Sequence, residues 1–201
     1  MTLKNRRNIQ AVYDLATTVE RADGNAWYPI AHCAALTLAD AYEVTECQAI
    51  GVIAALSPRN RWERNVADAE ALIAAYVAGG STQALETKVC TFGANKRKAV
   101  SILETEDPTA DEVRTILSGP KLQEFFTCIL GQHSEVCIDG HAYCIWAGGR
   151  TSLADVPSIG IKLRRQIKAD YVAVAQAVDV TPAALQAITW VAWRRIHGIS
   201  K

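Results

Sequence analysis

One aspartate stands at the head of an apolar stretch in Val136-Cys137-Ile138-Asp139-Gly140-His141-Ala142-Tyr143. A carboxylate bracketed in this way can orient and deprotonate a water, or stabilise a positive charge that develops as a bond breaks. Aspartate is also favoured as a helix N-cap. The two roles are compatible, because a capped turn fixes the carboxylate. Upstream, Ser118-Gly119-Pro120-Lys121 reads as a turn opening another helix. The unpaired N–H groups of a helix start attract phosphate. Gly119 permits close approach, Pro120 suits a first helical position, and Lys121 adds a cation. Without the downstream aspartate, the same residues also read as a plain helix start.

The elements that must hold these residues are helices. Apolar residues at 9, 12, 15, 16 and 19 form a helical stripe over Ile9 to Arg21. Asp23-Gly24-Asn25 reads as a turn before a helix over Ala26 to Tyr42. Thr45 and Gln48 have capping-box spacing and open a segment, apolar on nearly every face, that runs to Leu56. Such a segment predicts a central buried helix. After Pro58, a helix is expected from Trp62 to Tyr76, ending at Gly79-Gly80. A short helix follows over Lys96 to Leu103, then one capped by Thr109 or Asp111 and reaching Leu117. Leu122 to Leu130 is apolar and helical. The Asp139 segment ends at Gly148-Gly149, Asp155 to Ala177 reads as loop then helix, and Pro182 to His197 as a last helix. No strand ladder, repeat or interdomain linker is evident. The fold class is all-α.

Half of the 201 residues are apolar and 21% are charged, as in ordinary globular domains. No apolar run approaches the roughly 20 residues that span a bilayer, and Met1 to Arg7 is not followed by an apolar signal core. The expectation is a cytoplasmic protein with no membrane partner. The six cysteines form no C-x-x-C pair, so most read as buried thiols. The histidines have no metal-ligand spacing, and the expectation is no metal and no cofactor. A net charge of +0 does not favour nucleic acid, although a neutral total is compatible with a basic face. Cations do cluster around Arg59 to Arg64, Lys96 to Lys98, Lys162 to Arg165, and Arg194-Arg195. Trp190 and Trp193, at helical spacing, read as core residues.

Four blocks, in order, resemble the helix-hairpin-helix DNA glycosylases (the endonuclease III-like superfamily). Ala49 to Ser57 is similar to the early apolar helix, whose following loop approaches a flipped base. Phe92-Gly93-Ala94-Asn95-Lys96-Arg97-Lys98-Ala99 resembles the segment Gly-x-x-x-x-Lys-Ala. Leu117-Ser118-Gly119-Pro120-Lys121 stands where that family has Leu-Pro-Gly-Val-Gly, the hairpin. Ile138-Asp139-Gly140-His141 stands for Val-Asp-x-His, whose aspartate is catalytic.

The resemblance implies a two-lobed helical bundle and a single domain over residues 1–201. About residues 45–150 would form the core lobe with hairpin and aspartate, and 1–44 with 151–201 the second lobe. A cleft between lobes would hold Asp139, with residues 57 to 62 as its opposite wall. It implies excision of a damaged or modified base from DNA, an enzyme of the N-glycosylase class. Asp139 is the essential carboxylate, and Lys121 is the other candidate at the catalytic site. DNA contacts are expected from Gly119, Pro120, Lys121, Lys96, Lys98 and His141. Arg59 or Asn60 would contact the flipped base or fill its gap, and Trp62 would stack; the plain alternative is a Pro-started helix with Trp62 packed inward. His141 also reads as a packed histidine.

Departures from the pattern narrow the chemistry. The hairpin lacks Gly-x-Gly. Strand-cleaving members place a lysine a few residues into the following helix, where this chain has Glu124 and Lys121 falls too early. Hydrolysis without a Schiff base is therefore expected. No cysteine lies beyond Cys144, so the family's iron–sulfur cluster is not expected. Two other readings stay open: a phage enzyme of thymine hypermodification using the same pocket, and a non-catalytic DNA-binding or interaction protein.

Overall fold

The computed structural model describes residues 2–199. Among them are ten helices and no strand, so the protein is all-α. The helices are α1 (Thr2–Asp14), α2 (Thr18–Tyr42), α3 (Glu46–Leu56), α4 (Trp62–Glu86), α5 (Gly93–Glu104), α6 (Ala110–Leu117), α7 (Pro120–Ile129), α8 (Gly140–Ala147), α9 (Ile161–Ala177) and α10 (Pro182–Ile196). No single helix is long and apolar enough to cross a membrane.

The chain divides into two compact units. Residues up to Ile30 group with those from Gly131 onward, and Ala31–Leu130 forms the other unit. The divisions fall at 30 and 130 rather than at the expected 44 and 150. Asp139 consequently shares a unit with the terminal helices, not with the hairpin. The cause is α8, whose Ala142, Cys144 and Ile145 are buried in one core with Ile9, Tyr171, Leu185 and Ile188.

In the unit of residues 31–130, α3 is the axis. Every residue from Gln48 to Leu56 is buried, as its all-round apolar pattern predicts. Thr45 and Gln48 form the expected capping box. Gln48 also donates through Nε2 to the carbonyls of Leu103 (3.1 Å) and Thr105 (3.0 Å), so the one buried amide of this helix is satisfied. Gly51 lets neighbouring helices close in: a Cβ there would lie 2.8 Å from Val113 Cγ1. This helix is therefore packed by α4, α5, α6 and α7.

In the other unit, α1, α8, α9 and α10 pack together. The stripe over Ile9 to Arg21 is not one helix, because α1 stops at Asp14. Thr17 and Glu20 form a capping box that opens α2: Glu20 N donates to Thr17 Oγ1 (3.2 Å) and Thr17 N to Glu20 Oε2 (2.9 Å). Arg195 Nε donates to Glu20 Oε1 at 2.6 Å, and this bond holds the Glu20 carboxyl below its ordinary value. Nor is Asp23-Gly24-Asn25 a turn; it lies inside α2. Gly24 is there because α10 comes so close that a Cβ would lie 2.5 Å from Ile188 Cα. At the other expected stop, Gly79-Gly80, the backbone does leave helical geometry (Gly80 φ 70°), although helical bonding resumes to Glu86.

Cys128, Cys137 and Cys144 are buried thiols, whereas Cys33 is exposed and Cys47 and Cys90 are half-buried, so burial holds for half of them. Of the tryptophans, Trp193 is core. Trp190 is half-buried, edge-on to Trp27, with the Arg194 guanidinium 4.5 Å from its ring centre.

The close backbone approach at Gly24 gives a direct test. Gly24→Ala gains helix propensity, yet it forces α2 off Ile188. Urea denaturation should show a net loss of about 1–3 kcal/mol, the usual cost of overpacking; a gain would mean that the two helices are not in backbone contact.

Candidate functional site

Asp139 is the N-cap of α8, with its backbone extended and its Oδ1 accepting from Ala142 N at 2.8 Å. The residue is half-buried. The cap engages Oδ1 of the carboxylate. Beneath it, Val136, Cys137 and Ile138 are buried. Gly140 lies under Leu153, whose Cδ2 would be 2.7 Å from a Cβ at that position. A side chain at 140 would therefore make the exposed Leu153 side chain turn aside. His141 is half-buried in the first turn of α8, and it is engaged by other groups.

α8 ends at the expected glycine stop, and groups that sequence reasoning missed fix it in place. At its C-terminal end, Gly148 takes the left-handed conformation (φ 83°). The Trp146 carbonyl accepts from Asn5 Nδ2 and Asn8 Nδ2, both at 3.0 Å. Trp146 Nε1 donates to Asp170 Oδ2 at 2.9 Å, and Arg6 Nε to Asp170 Oδ1 at 2.8 Å. Asp170 is completely buried, so these two donors supply what water cannot. At the N-terminal end, Arg164 Nη1 donates to the Ile138 carbonyl at 2.9 Å. Tyr171 Oη donates to the Ala142 carbonyl across a longer 3.4 Å. Burial holds the Tyr171 phenol far above its ordinary value, so it acts as a neutral donor.

In the second unit, α6 and α7 are joined through two residues. Ser118 is left-handed (φ 50°, ψ 15°) and Gly119 is extended (φ −139°, ψ 132°). The left-handed position thus falls on Ser118, not on the glycine. Gly119 has open space where a Cβ would be, its nearest neighbour being Leu117 O at 3.9 Å. No side chain caps α7, and Pro120 at N1 has no N–H to offer. Pro120 and Lys121 are exposed. Lys98 Nζ donates to the Leu117 carbonyl (2.6 Å) and Gln123 Nε2 to that of Arg114 (2.8 Å), bracing the turn from both sides. Lys96 Nζ donates to the Leu85 carbonyl. Both lysines therefore have structural partners. Glu124 is buried within α7.

The loop after α3 is pinned in the same unit. Asp68 Oδ2 accepts from Asn60 Nδ2 and from Cys90 N, both at 2.8 Å, tying residues 57–61 to the Phe92 segment. Arg59 is exposed with φ 59°, and its guanidinium lies 5.2 Å from the ring centre of the exposed Phe92. Trp62 is half-buried at the first position of α4. Arg59, Asn60 and Trp62 thus belong to one ordered segment that includes Phe92, an exposed aromatic that the apolar pattern did not single out. Among the described residues no three His, Cys, Asp or Glu come together to hold a metal.

A family model matches residues 2–197, nearly the whole chain. The chain belongs to DUF7178. This is a family of unknown function. No curated protein and no solved structure matches the chain.

Three substitutions, at two positions, test this local geometry. Asp139→Ala removes the cap of α8 and should cost about 1 kcal/mol in chemical denaturation, while Asp139→Asn, which caps as well, should cost far less. Equal losses would mean that the carboxylate does not cap. Ser118→Gly relieves a left-handed residue and should raise stability by up to about 1 kcal/mol; a loss would contradict the turn geometry.

Proposed function

We propose that this protein is an enzyme that excises a damaged or modified base from DNA by hydrolysis, on a bundle of the helix-hairpin-helix glycosylase type. The observation that carries the reading is the Asp139 turn: a half-buried carboxylate, fixed as a helix cap with one oxygen engaged. It stands downstream of two helices joined by a two-residue left-handed–extended turn. The turn and the aspartate follow each other along the chain in the order in which the resemblance places hairpin and carboxylate.

In this mechanism the N-glycosidic bond breaks and its electron pair leaves with the base, which is protonated in turn. Asp139 stabilises the cation-like sugar and takes a proton from the water whose oxygen bonds to the sugar carbon. The exposed start of α7, with Gly119, Pro120 and Lys121, receives a backbone phosphate. Arg59, Asn60 and Trp62 meet the flipped base or fill its gap, and His141 lines the same capped turn as Asp139. Lys96 and Lys98 act chiefly by bracing the elements that bind, since each ammonium already donates to a carbonyl. Lys121 acts through its charge and not as a Schiff-base amine. The buried Glu124, at the strand-cleaving lysine's place, agrees with hydrolysis alone.

The test is incubation of wild type and Asp139→Asn with duplexes carrying uracil, hydroxymethyluracil, alkylated or oxidised bases, followed by alkali and a gel. Alkali-labile breaks are expected with wild type only, and borohydride should trap no covalent complex with abasic DNA. Binding without breaks, unaffected by Asp139→Asn, would replace excision by a binding role. A modified base without an abasic site would replace it by group transfer, as in phage thymine hypermodification.

A further inference from the structure

We infer that Arg164 is a positioning residue for the Asp139 carboxylate, acting through the Ile138 carbonyl. The inference rests on the excision reading for its purpose, but not for its geometry.

Arg164, Ile167 and Tyr171 follow one another at spacings of three and four, which places them on one face of α9. Ile167 and Tyr171 are completely buried in the core that also holds Ile138 and Ala142. From this face two donors reach the Asp139 turn, one at each end. Arg164 Nη1 donates to Ile138 O at 2.9 Å. Tyr171 Oη donates to Ala142 O at 3.4 Å. Between them, Ala142 N donates to Asp139 Oδ1 at 2.8 Å.

The Ile138 carbonyl belongs to the planar peptide that also contains Asp139 N. Fixing that oxygen fixes the peptide plane, and with it the direction in which the Asp139 side chain leaves the backbone. The donor is a guanidinium, so the bond is charge-assisted, shorter and more directional than a neutral one. Ile138 is completely buried, so solvent is not at hand to replace that bond. Arg164 stands 26 residues from the carbonyl it meets, on a helix that also meets α8 through the buried Asp170. A reacting group displaced by about 1 Å loses about a hundredfold in rate, which makes such a clamp worthwhile at a carboxylate.

The experiment compares wild type, Arg164→Gln, Arg164→Lys and Asp139→Asn by excision kinetics and by amide hydrogen exchange at Ala142, with α10 core amides as a control for folding. Arg164→Gln should lower kcat by about tenfold to a hundredfold, leave KM for the duplex within about twofold, and speed exchange at Ala142 but not in α10. Arg164→Lys, which keeps the cation with a different reach, should recover part of both. If Arg164→Gln fails to fold, Arg164→Lys against wild type carries the comparison, with a smaller loss of kcat at constant KM expected. Unchanged Ala142 exchange, wild-type kcat, or a change in KM alone would each overturn the inference; the last would make Arg164 a DNA contact. Wild type that excises nothing would overturn the excision reading instead, and the Ala142 amide would still decide whether Arg164 holds the turn.

Discussion

The helix that carries Asp139 is only eight residues long. An isolated helix of that length does not persist in water, because its nucleation cost is spread over too few bonds. Nearly every intrahelical donor and acceptor of α8 is also a terminal one, so neighbours must meet them. At the start the Asp139 carboxylate accepts from Ala142 N, while Arg164 and Tyr171 donate to the Ile138 and Ala142 carbonyls on either side; at the end Gly148 stops the helix, and Asn5 and Asn8 donate to the Trp146 carbonyl. The Trp146 indole adds a bond to Asp170, which Arg6 neutralises. The placement of the candidate carboxylate is therefore a property of α1, α8 and α9 together. This is why the unit containing Asp139 is assembled from both ends of the chain.

The second unit solves a different problem. Its α3 is buried on all sides, which is stable only if its own backbone ends and its one long polar side chain are satisfied internally. Thr45 and Gln48 do this reciprocally, and Gln48 spends its remaining donors on the end of α5. Around that axis four exposed residues are left-handed, among them Glu43 and Asp107; the two in the candidate turns are Ser118 between α6 and α7, and Arg59 between α3 and α4. Both are non-glycine residues in a conformation that costs energy. Both are held by bonds from elsewhere, Lys98 and Gln123 at the first and the Asp68 pin beside Asn60 at the second. Backbone strain kept in place by surrounding bonds is a common mark of functional turns.

What the sequence made legible is what depends on neighbours along the chain. The box at Thr45, the cap at Asp139, the stop at Gly148 and the proline start of α10 are all local rules, and all were readable; at α6 the cap was open between Thr109 and Asp111 and falls to Thr109. The Thr17–Glu20 box was equally local, but the apolar stripe running past it suggested a continuous helix. Gly24 misled for the opposite reason: its lack of a side chain serves a contact with Ile188 in α10, and between Asp and Asn it looks like a turn. The clamps on α8 could not be read at all. Arg164, Asp170 and Asn8 meet their partners 26, 24 and 138 residues away, and nothing in their own segments distinguishes them from solvated helix residues. Likewise Phe92 gains meaning only from the Arg59 guanidinium beside its ring.

The distribution of cations bears on how a chain of net charge +0 would meet a polyanion. Several cations are committed to backbone carbonyls within the fold: Arg21 to Ala16 and Tyr13, Lys96 to Leu85, Lys98 to Leu117, Arg150 to His197, Arg195 to Leu15. These bonds satisfy acceptors that would otherwise be left at helix ends and in turns. The clusters visible in the sequence are thus partly structural, and counting them overstates the charge available to phosphates. Exposed cations such as Arg61, Arg64, Arg97, Lys162 and Arg165 are what a binding surface would draw on. Under the excision reading, a large share of phosphate binding then falls to backbone N–H groups, chiefly at the start of α7, whose N-cap Gly119 makes no side-chain cap bond. A hairpin that relies on amides more than on side-chain charge needs a rigid turn above all. Under that reading, the bonds from Lys98 and Gln123 would supply this rigidity.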